Sequence, residues 1–168
     1  ELQHSYRFAK EGNIGPFSKA IIENDVNVLK EFIQKGTEDI KIDTEYNDKK
    51  LTEFAKGYRG YIQEKDIREA LKKLNNLRVL CAIREGKYGL YETNKKIEKY
   101  LQEQNLISLN AVFYEHRPII VTGNNYELGL YNGDIGIVRK DEHDNLKVWF
   151  EDADGNLRAI QPAFINTA

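Results

Sequence analysis

Residues Tyr126 to Val138 read YELGLYNGDIGIV. Two apolar runs flank the pair Asn132-Gly133, and Ile135 and Ile137 alternate with Asp134, Gly136 and Val138. Alternation around Asn-Gly is the strongest short-range sign of a β-hairpin, because both residues tolerate the positive φ of a type I′ turn. The stretch therefore predicts a tight hairpin with positive φ at Asn132 and Gly133. Working outward, Pro118–Thr122 reads as a strand before it and Leu146–Glu151 as a strand after it, with Trp149 inside. Asp154-Gly155 turns the chain into a last strand, Leu157–Ile160. Short strands separated by turn signals every ten or so residues define a small barrel or sandwich.

Before residue 110 the period changes. Ile14, Phe17, Ile21 and Ile22 repeat at helical spacing. A second helix carries Val28, Leu29, Phe32 and Ile33, with Asn24 as its N-cap and Gly36 as its stop. Residues 39–44 alternate like a short strand. Leu51, Phe54, Ala55, Tyr58 and Ile62 line a third helix, and Ile67, Ala70, Leu71 and Leu74 a fourth. The β-prone run from Leu77 to Ile83 predicts a buried strand, and residues 90–103 a final helix whose stripe includes Asn94. This body is α/β, followed by a compact β-module.

Composition narrows the chemistry. The net charge is −2, so any nucleic acid must be held by a local patch rather than by bulk attraction. Cys81 is the single cysteine of the 168 residues, which excludes an internal disulfide and a multi-thiolate zinc site and fits a reducing, cytoplasmic compartment. No apolar run approaches the ~18 residues a membrane span needs. The chain has no methionine and starts at Glu1-Leu2-Gln3, which we read as a piece of a larger protein. There is no G-x-x-x-x-G-K-[ST] phosphate loop: Tyr88 follows the only Gly-Lys pair, Gly86-Lys87. His4, His116 and His143 have no ligand spacing, and no metal site is predicted. The acids of VWFED (Val148–Asp152) read as solvated hairpin acids. Asp66 to Glu92 also reads as the recognition helix and wing of a winged-helix DNA-binding domain.

Three segments carry a resemblance. SYRF (Ser5–Phe8) is followed by Gly12 and Ile14. LCAIREGKYGLYETNKKIEKYLQ runs from Leu80 to Gln102. RPIIVTGNNYELGLYNGDIGIV (Arg117–Val138) is followed by VWF, DGN and IQP. In this order they resemble the RecD-type superfamily 1 DNA helicases, the alpha subunits of bacterial exodeoxyribonuclease V. The resemblance covers most of residues 4–162.

It implies that residues 1–111 are part of the second RecA-like motor domain and residues 112–168 an inserted SH3-like β-barrel. The activity implied is ATP-dependent 5′-to-3′ unwinding, with ATP and Mg²⁺ as cofactors of the full-length parent and none expected on this chain alone. The phosphate loop and the magnesium acids of the family lie upstream of these segments. Arg7 would be the ATP-cleft arginine that reaches the γ-phosphate, and Tyr6 would lie near the adenine. Arg84, Gly86 and Gly89 match the family's Arg-x-Gly-x-x-Gly loop, and Asn94 matches an asparagine in the helix that follows. Two departures stand out: Thr93 where relatives usually have leucine, and Gly123 where they commonly have a basic residue. Arg84 and Asn94, with Arg139, Lys147 and Arg158 of the barrel, are the candidate contacts to single-stranded DNA. RecB- and RecC-like subunits are possible partners; a membrane is not. The alternative function is a non-enzymatic DNA-binding module, winged helix plus β-barrel, and a third is an adaptor that uses the barrel alone.

Overall fold

The computed structural model describes residues 12–43, 45 and 47–165. Contacts divide the chain into two units, residues 1–47 and 48–168. Tyr6, Arg7 and His4 lie outside the described residues.

The first unit holds α1 (Ile14–Ile22) and α2 (Val26–Lys35). Phe17 and Phe32 meet edge to face at 5.1 Å between ring centroids. The N-cap of α2 is Asp25, not Asn24: the Asp25 carboxylate accepts from the N–H groups of Asn27 and Val28, while Asn24 takes positive φ one residue earlier. The strand expected at residues 39–44 does not form over 39–43; Thr44 lies outside the described residues. Its alternation finds no partner strand because the loop closes on itself. The Thr37 N–H bonds the Ile40 carbonyl, and the Ile40 N–H bonds the Thr37 hydroxyl. The Asp39 carboxylate accepts from the side-chain amide and backbone N–H of Asn13 and from the Thr37 hydroxyl, which lowers its pKa to about 2.

The second unit begins with α3 (Asp48–Ala55), a 3₁₀ turn at Lys56–Tyr58, and α4 (Arg59–Ile62). The single helix read through Leu51 and Ile62 is thus broken, where Gly57 and Gly60 weaken it. Next come α5 (Ile67–Asn75), capped by the Asp66 side chain on the Glu69 N–H, and α6 (Leu90–Glu103). Four strands follow: β1 (Pro118–Ile120), β2 (Ile135–Lys140), β3 (Leu146–Glu151) and β4 (Leu157–Ile160). They form one antiparallel sheet in the order β1-β2-β3-β4.

Alternation along β2 puts the sheet between two cores. Ile137 packs with Tyr61, Leu71, Leu74, Ile97 and Leu101 of the helices. Val138 faces the other way, onto Val121, Leu130, Val148, Phe150 and Ile160. Polar ties join the same parts. The Tyr114 hydroxyl donates to Glu98 on α6 at 2.8 Å. Arg68 of α5 donates to the Gly155 carbonyl and pairs with Glu151.

The β-turns repeat one device. The Asp141 carboxylate accepts from the N–H groups of His143 and Asn145, and the Asp152 carboxylate from those of Asp154 and Asn156. These bonds hold both carboxyls below the usual range, so the acid at the end of VWFED is a turn builder.

Two expectations are corrected here. First, Asn132-Gly133 does not join two strands. The partner of β2 is Pro118–Ile120, and residues 121–134 form a long loop between them. Only Gly133 takes positive φ (98°), and the Asp134 N–H closes on the Tyr131 carbonyl at 3.0 Å. Positive φ at the third residue alone is the type II pattern, which needs glycine at that place and leaves Asn132 in an ordinary conformation. Second, the run from Leu77 to Ile83 is not a buried strand, nor does it make a winged-helix hairpin with Tyr88–Tyr91. It forms no strand: it is irregular with a bend at Ala82, and Leu80 is 92% and Ile83 56% exposed while Leu77, Val79 and Cys81 are partly buried. Its β-prone composition has no neighbouring strand among the described residues to act on.

Candidate nucleic-acid interface

The Arg-x-Gly-x-x-Gly segment is a tight loop on the N-terminus of α6. The Ile83 carbonyl accepts from the Leu90 N–H at 3.0 Å, and the Arg84 carbonyl from the Tyr91 N–H at 3.2 Å. Two donors that a helix start leaves open are thereby satisfied by the loop itself. Gly89 is required by close approach: a Cβ there would lie 2.5–2.6 Å from the Glu85 and Arg84 carbonyl oxygens. Arg84 stands exposed in this loop and Asn94 exposed on α6.

The buried stripe of α6 is Thr93, Ile97 and Leu101, so Asn94 lies beside it rather than on it as expected. It borders a cleft of about 150 Å³, shared with Tyr58, Glu98, Tyr114 and Arg117. Thr93 is accommodated by Cys81, whose thiol donates to its hydroxyl at 3.7 Å.

The three barrel cations are not brought together on an open face. Arg139 is 9% exposed, and its guanidinium donates to the carbonyls of Tyr61 (2.7 Å) and Ile62 (3.3 Å), at the last turn of α4. A cation suits those carbonyls, which have no partner within the helix. Strand parity could have shown this, since Arg139 shares a face with Ile135 and Ile137. Arg158 on β4 donates to the carbonyls of Leu128 (2.6 Å) and Gly129 (3.1 Å) and so ties the long loop to the sheet. Lys147 is half-buried, with its ammonium 3.9 Å from Asp141.

Beside Arg139 lies His116, to which the sequence alone assigns no role. His116 has φ of 74°, its N–H donates to the Val138 carbonyl, and its own carbonyl accepts from the Tyr61 hydroxyl at 2.9 Å. Its Nδ1 and the Arg139 Nε are buried without a partner among the described residues. Burial, and then the Arg139 charge, lower the His116 pKa from its ordinary 6.5. A base depressed in the fold takes up protons more readily when unfolded. Its contribution to stability is therefore complete above pH 6.5 and lost as pH falls below it. Thermal melts of the chain between pH 7.5 and pH 5 should show Tm dropping in this window. His116→Asn, which tolerates the left-handed backbone, should flatten the drop; an unchanged slope would show that His116 does not cause it.

The module from α6 to β3 has a counterpart among known proteins. Residues 93–150 match the family described as the SH3 domain of ATP-dependent RecD-like DNA helicases. Beyond that domain, RecD subunits are similar to the chain over most of its length. The chain is 28% identical to the RecBCD enzyme subunit RecD of Buchnera aphidicola subsp. Schizaphis graminum over 95% of its length and 29% of the relative's. It is 34% identical to RecD of Mycolicibacterium smegmatis over 82% of the chain and 25% of the relative. For RecD of Haemophilus influenzae the identity is 30%, over 83% of the chain and 22% of the relative. The chain thus spans about a quarter of the length of the curated relatives it matches.

Proposed function

We propose that this chain is the part of an ATP-dependent 5′-to-3′ DNA helicase of RecD type that supplies an ATP-cleft arginine and a stretch of the single-stranded DNA path. Residues 1–111 are then part of the second RecA-like motor domain and residues 112–168 the SH3-like barrel. The observation that carries this reading is the match of residues 93–150 to the SH3 domain of RecD-like helicases. The apolar run Leu77–Ile83 supports it too: a β-prone segment that forms no strand and leaves Leu80 and Ile83 in water suits a sheet strand whose partners lie elsewhere in the parent. No observation favours the winged-helix alternative.

In this reading Arg7 reaches the nucleotide and Tyr6 lies near its base. No group of three or more acidic, histidine or cysteine side chains among the described residues is placed to hold a metal ion. ATP and Mg²⁺ are assigned to the rest of the parent, where they supply the energy of translocation. Arg84 and Asn94 remain as DNA contacts of the motor part, and Lys147, half-buried beside Asp141, is the barrel cation kept in this reading. The relatives' description as RecBCD subunits supports RecB- and RecC-like partners. No helix among the described residues is long and apolar enough to cross a membrane, and the site of action proposed is the cytoplasm.

The purified chain should hydrolyse no ATP, with or without single-stranded DNA, because one finger arginine cannot replace the loop and metal that hold the phosphates. DNA-stimulated phosphate release by the chain alone would overturn the proposal.

A further inference from the structure

The loop between β1 and β2 holds two tyrosine rings out to solvent. Tyr126 is 75% exposed and Tyr131 54%, and they meet edge to face at 6.2 Å between centroids. The loop beneath them is heavily pinned. Asn125 and Leu130 exchange both backbone hydrogen bonds, at 2.8 and 2.9 Å. The Asn125 side chain accepts from the Leu128 N–H, and the Asp134 carboxylate from the Tyr131 N–H. Asn124 does two jobs: its oxygen accepts from the Asn132 N–H, and its amide donates to the Tyr126 hydroxyl at 3.1 Å. The Leu130 side chain plugs into the barrel core, and Arg158 grips the carbonyls of Leu128 and Gly129 from below. Exposed apolar rings are costly to display, and rings displayed on so fixed a loop are preorganised for contact.

We infer that Tyr126 and Tyr131 form a stacking platform for the unpaired bases of single-stranded nucleic acid. This rests on the reading of the chain as part of a motor that tracks a single strand. The chemistry of the loop selects the base rather than the phosphate. Residues 121–134 contain no lysine or arginine; their charged side chains are Glu127 and Asp134. Such a surface repels a phosphate backbone, yet offers two π-faces, which bind any base without reading its edge. Duplex DNA hides its base faces and presents phosphates, so it has little to gain here. Phe164, 59% exposed, adds a third ring beside a groove of about 270 Å³ along Val121–Asn125.

The test is fluorescence anisotropy of the chain with a labelled oligothymidylate of about twelve nucleotides across a salt series, using Tyr126→Ala, Tyr131→Ala and Tyr126→Phe. Each alanine variant should weaken binding about fivefold or more, as the loss of one stacked base requires. The slope of log affinity against log salt should stay at the wild-type value, because no phosphate contact is removed. Phenylalanine should bind like the wild type, and melting temperatures should be unchanged because the rings are exposed. If the wild type binds the strand and the alanine variants bind equally well, the platform is overturned while the DNA reading survives; the loop would then face another partner, such as a protein. A reduced salt slope in the alanine variants would also overturn it. If the wild type has no affinity for the strand at any salt, the DNA reading falls and takes the platform with it.

Discussion

Replacing Arg7 with alanine in the proposed parent helicase should lower kcat by at least ~10³ while leaving ATP affinity nearly unchanged. During phosphoryl transfer, charge spreads over the equatorial oxygens of the γ-phosphate. A planar guanidinium that reaches them binds the transition state more strongly than the ground state. The phosphate loop on the opposite motor domain still holds the nucleotide, so binding suffers little. Lysine should rescue poorly, because a point charge does not reproduce the two-pronged contact. Steady-state ATPase with saturating single-stranded DNA, beside nucleotide titrations, measures both quantities. Near-normal kcat in the alanine variant would show Arg7 to be a surface residue and would withdraw its assignment from the Ser5-Tyr6-Arg7-Phe8 match.

Arg139→Ala should destabilise the second unit by about 2–4 kcal/mol in denaturant unfolding. The arginine is the charged donor to two carbonyls at the end of α4 and is itself buried. Alanine leaves a void there and removes the donor from both carbonyls, of which Tyr61 keeps the Glu64 N–H at 3.3 Å. Arg139→Met refills the void without the donor and should recover about half of the loss. Single-stranded DNA affinity of the folded variants should not change, because the guanidinium is buried. Full stability with weakened DNA binding would reverse this and make Arg139 a backbone contact after all.

What the sequence shows depends on whether a feature is local. The period of Leu90–Glu103 marks α6 to the residue, because a helix satisfies its own hydrogen bonds. Leu77–Ile83 is not, because a strand exists only with its neighbour. The Asn132-Gly133 turn was legible as a turn, but its type was set by the loop it closes, where Gly133 bonds the Val121 carbonyl. Arg139 could be placed from parity with Ile137, but nothing local reveals that Arg158 reaches back 30 residues to Leu128. Tyr126 and Tyr131 read as strand residues until the loop is seen. Tyr6 and Arg7 are singled out by resemblance alone, since a Tyr-Arg pair has no chemistry of its own without a cleft to face, and both lie outside the described residues.

The most direct test is the polarity of unwinding by the full-length protein that contains this segment. Duplexes with a 5′ single-stranded tail and with a 3′ tail are offered separately, with ATP and Mg²⁺, and strand separation is followed by loss of energy transfer between end labels. Unwinding of the 5′-tailed duplex and none of the 3′-tailed one is the expected result. Unwinding only from the 3′ tail, or of neither substrate, would contradict it.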